Sequence, residues 1–269
     1  VSEESHYSFS IASNVIGIGH SNLIQVRCND DGQMLPEALD EEIQRALANH
    51  LIPFAVLATS GTTVRGSFDP LRSIAGVAHK HNLWMHVDAA WGGSCLFSSR
   101  YRSLMDGIEL ADSFCWDAHK MMGIPLICSA FIVKDADILR AVCSTGQTAH
   151  YLYHDTGAEI DLGRFSLQCG RRNDAHKLWL AWREIGDAGW ASMLERFMDL
   201  ADYLQQRIEN HDALEMVSDR MWTNVCFRFT TEDSSMDLND LNTKIRKRLI
   251  QEGTFMVSRS NIGDDVILR

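Results

Sequence analysis

The sequence predicts an α/β fold in which helices flank a mostly parallel sheet. Two short apolar runs, residues 54–58 and 83–87, have the length of strands, and polar residues follow each of them. Buried parallel strands have this composition, and their polar ends gather at the carboxyl edge of the sheet. Between the two runs, apolar residues recur at helical spacing, as a strand–helix–strand unit requires. The sequence therefore predicts a sheet edge where polar side chains from neighbouring strands meet.

Length and composition indicate a globular protein that does not bind nucleic acids. With 269 residues, the chain is long enough for a sizeable core and two domains. Its formal net charge of −11 argues against general binding to nucleic acids or anionic membranes, because both require a basic face. No apolar run approaches the roughly 20 residues that span a bilayer, and no signal peptide is visible. We expect a cytoplasmic protein.

The cysteines and histidines predict neither disulfides nor a metal site. The seven cysteines are an odd, scattered set without a C-x-x-C pair, which favours reduced thiols in a cytoplasm. His79 and His81 could suggest a metal ion, but they flank Lys80 at the end of a predicted helix. A solvated helix end explains this pattern better, so we expect no metal.

A strand and a helix are predicted before the first parallel strand. Residues 23–28 have the pattern of a strand, and a polar turn follows them. Pro36 then opens a helix that carries apolar residues on one face. Acidic residues lie toward the N-terminal end of this helix, where they suit the helix dipole and need no functional explanation.

The predicted strand at residues 54–58 runs into a polar loop with a glycine hinge, residues 59–63. Asp69 and Pro70 then have the types expected at the N-cap and at the first position of a helix. We expect that helix to run to about Asn82, where the second parallel strand begins.

The later part of the chain is also predicted to contain both strands and helices. Residues 128–133 are predicted to form another buried strand. From Asn173 onward the aromatic, leucine and methionine residues recur at three- and four-residue spacing, which is typical of a helix that packs on a core. Residues 223–229 alternate as a strand does. Residues 237–251 are predicted to form an amphipathic helix whose basic C-terminal end suits its dipole.

The candidate site is centred on Lys120. Apolar residues precede and follow this lysine, so we expect its stem to enter a semi-buried cleft, where a neutral, nucleophilic amine is favoured. Asp88 ends the upstream apolar run and precedes Lys120 by about one strand–crossover–strand unit. Adjacent parallel strands would then bring the carboxylate and the amine to one edge of the sheet.

An acid and a nucleophilic lysine in this arrangement suit one cofactor in particular. Pyridoxal phosphate needs a lysine that binds its aldehyde covalently and an acid that keeps its pyridine nitrogen protonated. At this point the sequence resembles the group II pyridoxal-phosphate-dependent amino-acid decarboxylases. Residues 113–134, SFCWDAHKMMGIPLICSAFIVK, meet every specified position of their lysine signature, and HVDAAWGG, residues 86–93, resembles their acid motif.

The resemblance implies a fold and a division into domains. It implies fold type I of the pyridoxal-phosphate-dependent transferases, with a large cofactor-binding domain over residues 1–170. A small α+β C-terminal domain is implied over residues 171–269. The chain begins without methionine and stops inside an apolar run, and the resemblance covers only the middle and later part of a family chain. We therefore expect both domains to be incomplete.

The resemblance also implies the roles of individual residues. Lys120, Asp88 and His6 are the implied catalytic residues, and the ring of His6, in SEESHYSF, would lie against the cofactor. Four further contacts are implied: Ala90 beneath the ring, Thr62 at the phenolic oxygen or the substrate, His119 at the phosphate, and Arg269 at the substrate α-carboxylate. A planar guanidinium suits the last role. A turn-capping threonine and a frayed terminal arginine remain alternatives for Thr62 and Arg269.

Two features depart from the family pattern. Asp117 stands where the most familiar members have asparagine, and a carboxylate near a phosphate dianion repels it unless it is turned away or paired. The loop over residues 149–171 is shorter than in the glutamate and cysteine-sulfinate enzymes. Their catalytic tyrosine has no clear counterpart there, although Tyr151 and Tyr153 lie nearby.

The function implied by the resemblance is α-decarboxylation of an amino acid by a carboxy-lyase. An acidic substrate (glutamate, aspartate or cysteine sulfinate) is favoured, with the amine and carbon dioxide as products. Decarboxylation of diaminobutyrate or another amino acid, aminotransfer, and oxidative deamination remain alternatives. So does an inactive fragment that needs a partner segment. The resemblance further implies a homodimer.

Overall fold

A four-stranded sheet forms the first half of the protein. In this computed structural model, the structure describes residues 1–144, 162–168 and 170–269. Strands β1 (Ala55–Thr59), β2 (Trp84–Asp88) and β3 (Ser113–Asp117) are parallel neighbours in that order. Strand β4 (Ser129–Val133) joins β3 in antiparallel orientation. The predicted α/β fold with a mostly parallel sheet is confirmed.

Helices precede, connect and follow these strands, and a second sheet lies later in the chain. The helices are α1 (Ser8–Val15), α2 (Pro36–Ala48), α3 (Leu71–Lys80), α4 (Ala136–Cys143), α5 (Asp174–Glu209) and α6 (Leu238–Glu252). The second sheet has the order β5-β6-β8-β7, with β5 (Leu214–Met216), β6 (Phe227–Phe229), β7 (Arg259–Ile262) and β8 (Asp265–Leu268). The two sheets fit the division at residue 170 in outline, but that division stays a prediction.

The main core lies between the first sheet and its helices and extends onto α5. Met85 and Val87 of β2 and Ile74 of α3 are fully buried, as are Trp190 and Leu194 of α5. Burying aliphatic and aromatic side chains of this size contributes about 1.5–3 kcal/mol each. The core pattern predicted for the helix from Asn173 onward is confirmed in part: Leu194, Met198, Ala201 and Ile208 are buried, whereas Trp179 and Leu204 are exposed. Within the described α5, the helical geometry is interrupted at Gly186, where φ is 69°.

Three predicted strands differ from the structure. Residues 23–28 make only isolated bridges, from Val26 to Ser2 and from Cys28 to Met34. The strand expected over residues 128–133 is present as β4, but most of its residues are exposed, because it lies at an edge of the described sheet. Of residues 223–229, only the last three form a strand. The helices predicted at 36 and 237 are confirmed, and Asp237 accepts N–H bonds as the N-cap of α6.

The predicted N-cap role of Asp69 is wrong. Its side chain is buried and does not cap α3; it accepts the N–H of Met34 at 2.7 Å and the N–H of Thr59 at 2.7 Å. The carboxylate therefore ties the end of β1 to the segment before α2. Burial raises its pKa from 3.8 to about 6, although the two backbone bonds oppose that shift.

We expect Asp69 to make the protein less stable as the pH rises from about 4 to about 6. Because the folded-state pKa is raised, the folded protein binds more protons in this window than the unfolded chain, and the stabilisation is lost above it. The difference between 3.8 and about 6 corresponds to about 3 kcal/mol. Urea unfolding at several pH values should show this slope in the wild-type protein and a smaller one in Asp69→Asn. Parallel pH profiles of the two proteins would contradict this assignment.

The structure also bears on the predictions about histidines, metal ligands, cysteines and membrane-spanning segments. His81 Nε2 lies 2.6 Å from Asp40, and Lys80 Nζ lies 2.8 Å from Asp40, so His81 belongs to a cluster of charged and polar groups at the end of α3. Among the described residues, no three potential ligands converge as a metal site would require. The six cysteines in the described ranges are free thiols. None of the helices in these ranges is long and apolar enough to cross a membrane.

Candidate active site

A cavity of about 460 Å³ lies at the carboxyl edge of the parallel strands. Each of these strands contributes one lining residue from the segment that follows it: Thr63 after β1, Trp91 after β2 and Lys120 after β3. The opposite side is formed by Leu204, Thr223, Asn224, Val225, Ser258 and Arg269. The volume lies within the range of about 300–1,000 Å³ that small-molecule pockets occupy. The sheet edge predicted from the sequence is thus one wall of a cavity.

Lys120 and Arg269 bring two cationic groups to this cavity. Arg269 is held in place by its backbone, whose N–H and C=O both pair with Ser258. Hydroxyl groups of Thr63 and Ser258 belong to the same lining. A cavity with two cations and several hydroxyls attracts a small anionic molecule. A larger cavity of about 590 Å³ beside β1 has a mostly apolar lining and offers no such set of groups.

The expectation that Lys120 enters a semi-buried cleft is wrong in part. Its side chain lines the cavity but is 37% exposed, and its Nζ lies 3.2 Å from Asp117 Oδ2. The apolar neighbours that motivated the expectation, Trp116, Met121 and Met122, are themselves buried in the core. Apolar residues beside a lysine in sequence therefore anchor the backbone here, and the lysine projects from that anchor toward the cavity.

Asp88 lies at the same edge of the sheet as Lys120. It is the last residue of β2 and is in register with Cys115 on the neighbouring parallel strand β3. Its Oδ1 accepts the N–H of Ala90 at 3.0 Å and lies 3.4 Å from the Cys115 sulfur. Burial and then the Asp88 charge raise the pKa of Cys115 to about 12, so this thiol is a neutral donor. Asp88 is not among the described residues that line the cavity.

His119 lies beside the lysine and is held by Cys128, the residue just before β4. Its Nδ1 lies 3.0 Å from the carbonyl oxygen of Cys128, and its Nε2 lies 3.7 Å from Asp117 Oδ2. The ring is 13% exposed. The structure thus groups His119, Lys120 and Asp117 at the end of β3, and Asp117 is the shared partner.

His6, Thr62 and Ala90 lie outside the described lining of the cavity. The His6 ring contacts its own neighbours, with Nδ1 2.8 Å from Ser8 Oγ and its centroid 4.2 Å from that of Tyr7. Thr62 is fully buried, and its Oγ1 accepts the N–H of Ser67 at 3.0 Å. This is the turn-capping contact that was the alternative for Thr62, while the adjacent Thr63 reaches the cavity.

Asn224 links two walls of the cavity, and sequence reasoning missed it. Its Oδ1 accepts the Trp91 indole N–H at 2.8 Å, and its Nδ2 donates to the carbonyl oxygen of Val64 at 2.9 Å. The side chain is 7% exposed, so these bonds are shielded from water. A polar residue inside the strand-like segment TNVCFRF was the available signal. Next to it, the buried Oγ1 of Thr223 has no partner among the described residues.

Two glycines let the segments after β1 and β2 approach each other. Gly61 has φ +84°, and a Cβ there would lie 2.6 Å from the backbone nitrogen of Gly92. A Cβ on Gly92 would lie 2.5 Å from the carbonyl oxygen of Ser60. Real Cβ atoms do not come this close to backbone, so only glycine fits at both positions. This contact sets the distance between Thr63 and Trp91 across the cavity.

Sequence and structure comparisons identify relatives over the whole chain. The pyridoxal-dependent decarboxylase conserved domain matches residues 1–230. The human protein "Cysteine sulfinic acid decarboxylase" is 38% identical over an alignment of 267 residues that covers 95% of this chain and 54% of that protein. The chain thus spans about half the length of this curated relative.

Solved structures with the same fold include mouse and plant proteins. The crystal structure of mouse CSAD matches with a TM-score of 0.92 and 36% identity, covering 100% of this chain and 58% of that one. The structure of Oryza sativa TDC with PLP and tryptamine matches with a TM-score of 0.93 and 28% identity, covering 99% of this chain and 56% of that one. The fold is therefore that of known pyridoxal-dependent decarboxylases. Tyr151 and Tyr153 lie outside the residues that our structure describes.

Proposed function

This chain belongs to the pyridoxal-dependent decarboxylase family, and on that premise we propose that the protein binds pyridoxal 5′-phosphate and decarboxylates an amino acid at its α-carbon. The observation that carries the proposal is the cavity at the carboxyl edge of β1, β2 and β3, which Lys120 and Arg269 both line. An amine that can bond to an aldehyde and a guanidinium that can bind a carboxylate are the two groups this reaction requires.

The residues around the cavity fit this cofactor and its substrate. The anionic phosphate and the substrate carboxylate suit a lining that contains two cations. Thr63 and Ser258 offer hydroxyls, and the buried Thr223 hydroxyl, which has no partner among the described residues, can serve a ligand. Trp91 offers an aromatic wall for a flat ring.

The chain's own residues then take distinct parts in the reaction. Bound pyridoxal phosphate supplies a ring that accepts the electron pair left on the α-carbon when carbon dioxide departs. Lys120, which lines the cavity, would hold the cofactor through its amine. Asp88 would keep a proton on the pyridine nitrogen. The Ala90 N–H and the Cys115 thiol both donate to its carboxylate and thereby fix its position. Arg269 orients the carboxylate that is lost.

The remaining contacts are proposed on the family resemblance. His119 would contact the phosphate, Ala90 would lie beneath the ring, and His6 would stack on it. For the hydroxyl near the phenolic oxygen or the substrate, Thr62 was the first candidate. Because Thr62 Oγ1 accepts the Ser67 N–H, the cavity-lining Thr63 offers an alternative from the same loop.

An acidic amino acid is the substrate we favour, and cysteine sulfinate is the first to test. The human relative at 38% identity is named for that substrate. We would incubate the purified protein and pyridoxal phosphate with single amino acids and measure carbon dioxide release. The panel would contain cysteine sulfinate, aspartate, glutamate, 2,4-diaminobutyrate and tryptophan. Release from an acidic member at the highest kcat/KM supports the proposal, and release from none of the panel would refute decarboxylation.

Replacing Arg269 with alanine is expected to raise the KM for the amino acid about ten- to hundredfold, with a smaller change in kcat. That range corresponds to the loss of a hydrogen bond between charged groups. Arg259→Ala is the matched control, because Arg259 is an exposed arginine on β7 outside the described cavity lining. Equal effects of the two substitutions on KM would exclude the proposed role of Arg269.

We also propose a cytoplasmic homodimer, which rests on the family resemblance and on the composition. Light scattering of the purified protein across a concentration series tests the oligomeric state. A mass of two chains supports the homodimer, and a mass of one chain at all concentrations contradicts it.

A further inference from the structure

The Asp117 carboxylate occupies the position nearest to the Lys120 amine. Its Oδ2 lies 3.2 Å from Lys120 Nζ and 3.7 Å from His119 Nε2. The carboxylate is 16% exposed, whereas the lysine side chain is 37% exposed. In this ion pair, Asp117 is therefore better shielded from solvent than Lys120, and Lys120 is the member that lines the cavity.

The local backbone holds Asp117 in this position. Asp117 is the last residue of β3 and is in register with Ser129 on β4. Its carbonyl oxygen accepts the backbone N–H of Lys120 at 3.0 Å, which closes a turn between the two residues. Asp117 and Lys120 thus meet because of the strand end and its turn, before any ligand enters the cavity.

We propose that Asp117 is a positioning residue that binds the Lys120 ammonium in the cofactor-free protein and must release it before the cofactor can be loaded. The inference rests on the proposed function, because it takes Lys120 as the residue that bonds to the cofactor aldehyde. Asp117 thereby slows loading of the cofactor, while it keeps the amine at the cavity.

The chemistry of loading explains why the ion pair opposes it. The Lys120 ammonium first gives up a proton to solvent. The nitrogen lone pair then bonds to the aldehyde carbon, the carbon–oxygen bonds break, and the oxygen leaves as water as a carbon–nitrogen double bond forms. The attraction between Asp117 and the ammonium opposes the loss of this proton, and the protonated amine has no lone pair with which to attack the aldehyde. Removing the carboxylate therefore removes a cost of the reaction.

Asp117 could instead act on the phosphate, because like charges repel. The two effects are separable with two probes, pyridoxal 5′-phosphate and pyridoxal, which share the aldehyde but differ in the phosphate. If Asp117 acts through Lys120, its removal speeds loading of both probes by the same factor. If it acts through phosphate repulsion, only loading of pyridoxal 5′-phosphate becomes faster.

The test measures the rate of covalent loading from absorbance, in wild-type protein and in Asp117→Asn at one fixed pH. Asp174→Asn is the matched control, because Asp174 lies 2.7 Å from Lys177 in the same i,i+3 arrangement. We expect Asp117→Asn to load both probes about two- to fivefold faster. That range corresponds to a partly exposed ion pair. We expect Asp174→Asn to load as the wild type does.

A measurement on the wild-type protein alone gives a second test that needs no variant to fold. Salt screens a partly exposed pair, so the rate of loading with pyridoxal should rise as sodium chloride is added. Equal or slower loading of pyridoxal in Asp117→Asn, or a wild-type rate that does not change with salt, would overturn the inference. Loading that persists in Lys120→Ala would instead overturn the proposed function.

Discussion

Replacing Lys120 with alanine is expected to lower the rate of carbon dioxide release by at least about a thousandfold. Loss of one positioned proton-transfer group already costs about 10²–10⁴-fold, and Lys120 is proposed both to bond to the cofactor and to return after the reaction. The measurement is carbon dioxide release at saturating pyridoxal phosphate and amino acid. Because Lys120 is 37% exposed, its replacement should leave the free energy of unfolding nearly unchanged.

Lys134→Ala is the control for this experiment. Lys134 ends the same sequence signature, but it lies after β4 and outside the described lining of the cavity. Activity that falls equally in both variants would point to damage to the sheet. Activity retained in Lys120→Ala would exclude the assigned role of the amine.

Replacing Asp88 with asparagine is expected to lower the rate about a hundred- to thousandfold while covalent loading at Lys120 persists. The carboxamide keeps an oxygen that can accept the Ala90 N–H, so the local structure is preserved. It loses the negative charge that holds a proton on the pyridine nitrogen. Removal of one preorganised electrostatic contact typically has an effect of this size. Absorbance spectra and carbon dioxide release measure the two properties separately.

Asp112→Asn provides the comparison for Asp88. Asp112 lies just before β3, where it accepts the N–H of Met85 at 2.7 Å, but it has no proposed contact with the cofactor. We expect this variant to lose stability and to retain most of its specific activity. If Asp88→Asn kept full activity, or if it failed to load the cofactor at all, the proposed division of roles between Asp88 and Lys120 would be wrong.

The parts of the fold that could be predicted are those with local causes. The runs that end at Thr59 and Asp88 are apolar over the length of a strand, and they form β1 and β2. Pro36 and Asp237 mark helix starts by backbone geometry and side-chain capping, and helices begin there. From the apolar runs that precede Asp88 and Lys120, the placement of both residues at one edge of the sheet could be predicted.

The details that could not be predicted depend on contacts between distant segments. Asp69 has the type and position of an N-cap, but its carboxylate binds two backbone N–H groups from other segments. Asn224 meets Trp91 across 133 positions of the chain, and no local pattern reports such a pair. The exposure of Lys120 was misjudged because hydrophobic neighbours in sequence show where the backbone is anchored, not where the side chain points.

The central claim is that Lys120 is the amine that carries the cofactor. The most direct measurement is reduction of the pyridoxal-phosphate-loaded protein with borohydride, followed by proteolysis and mass spectrometry of the peptides. We predict one modified peptide, with the pyridoxyl group on Lys120. Modification of a different lysine, or of none, would contradict the account.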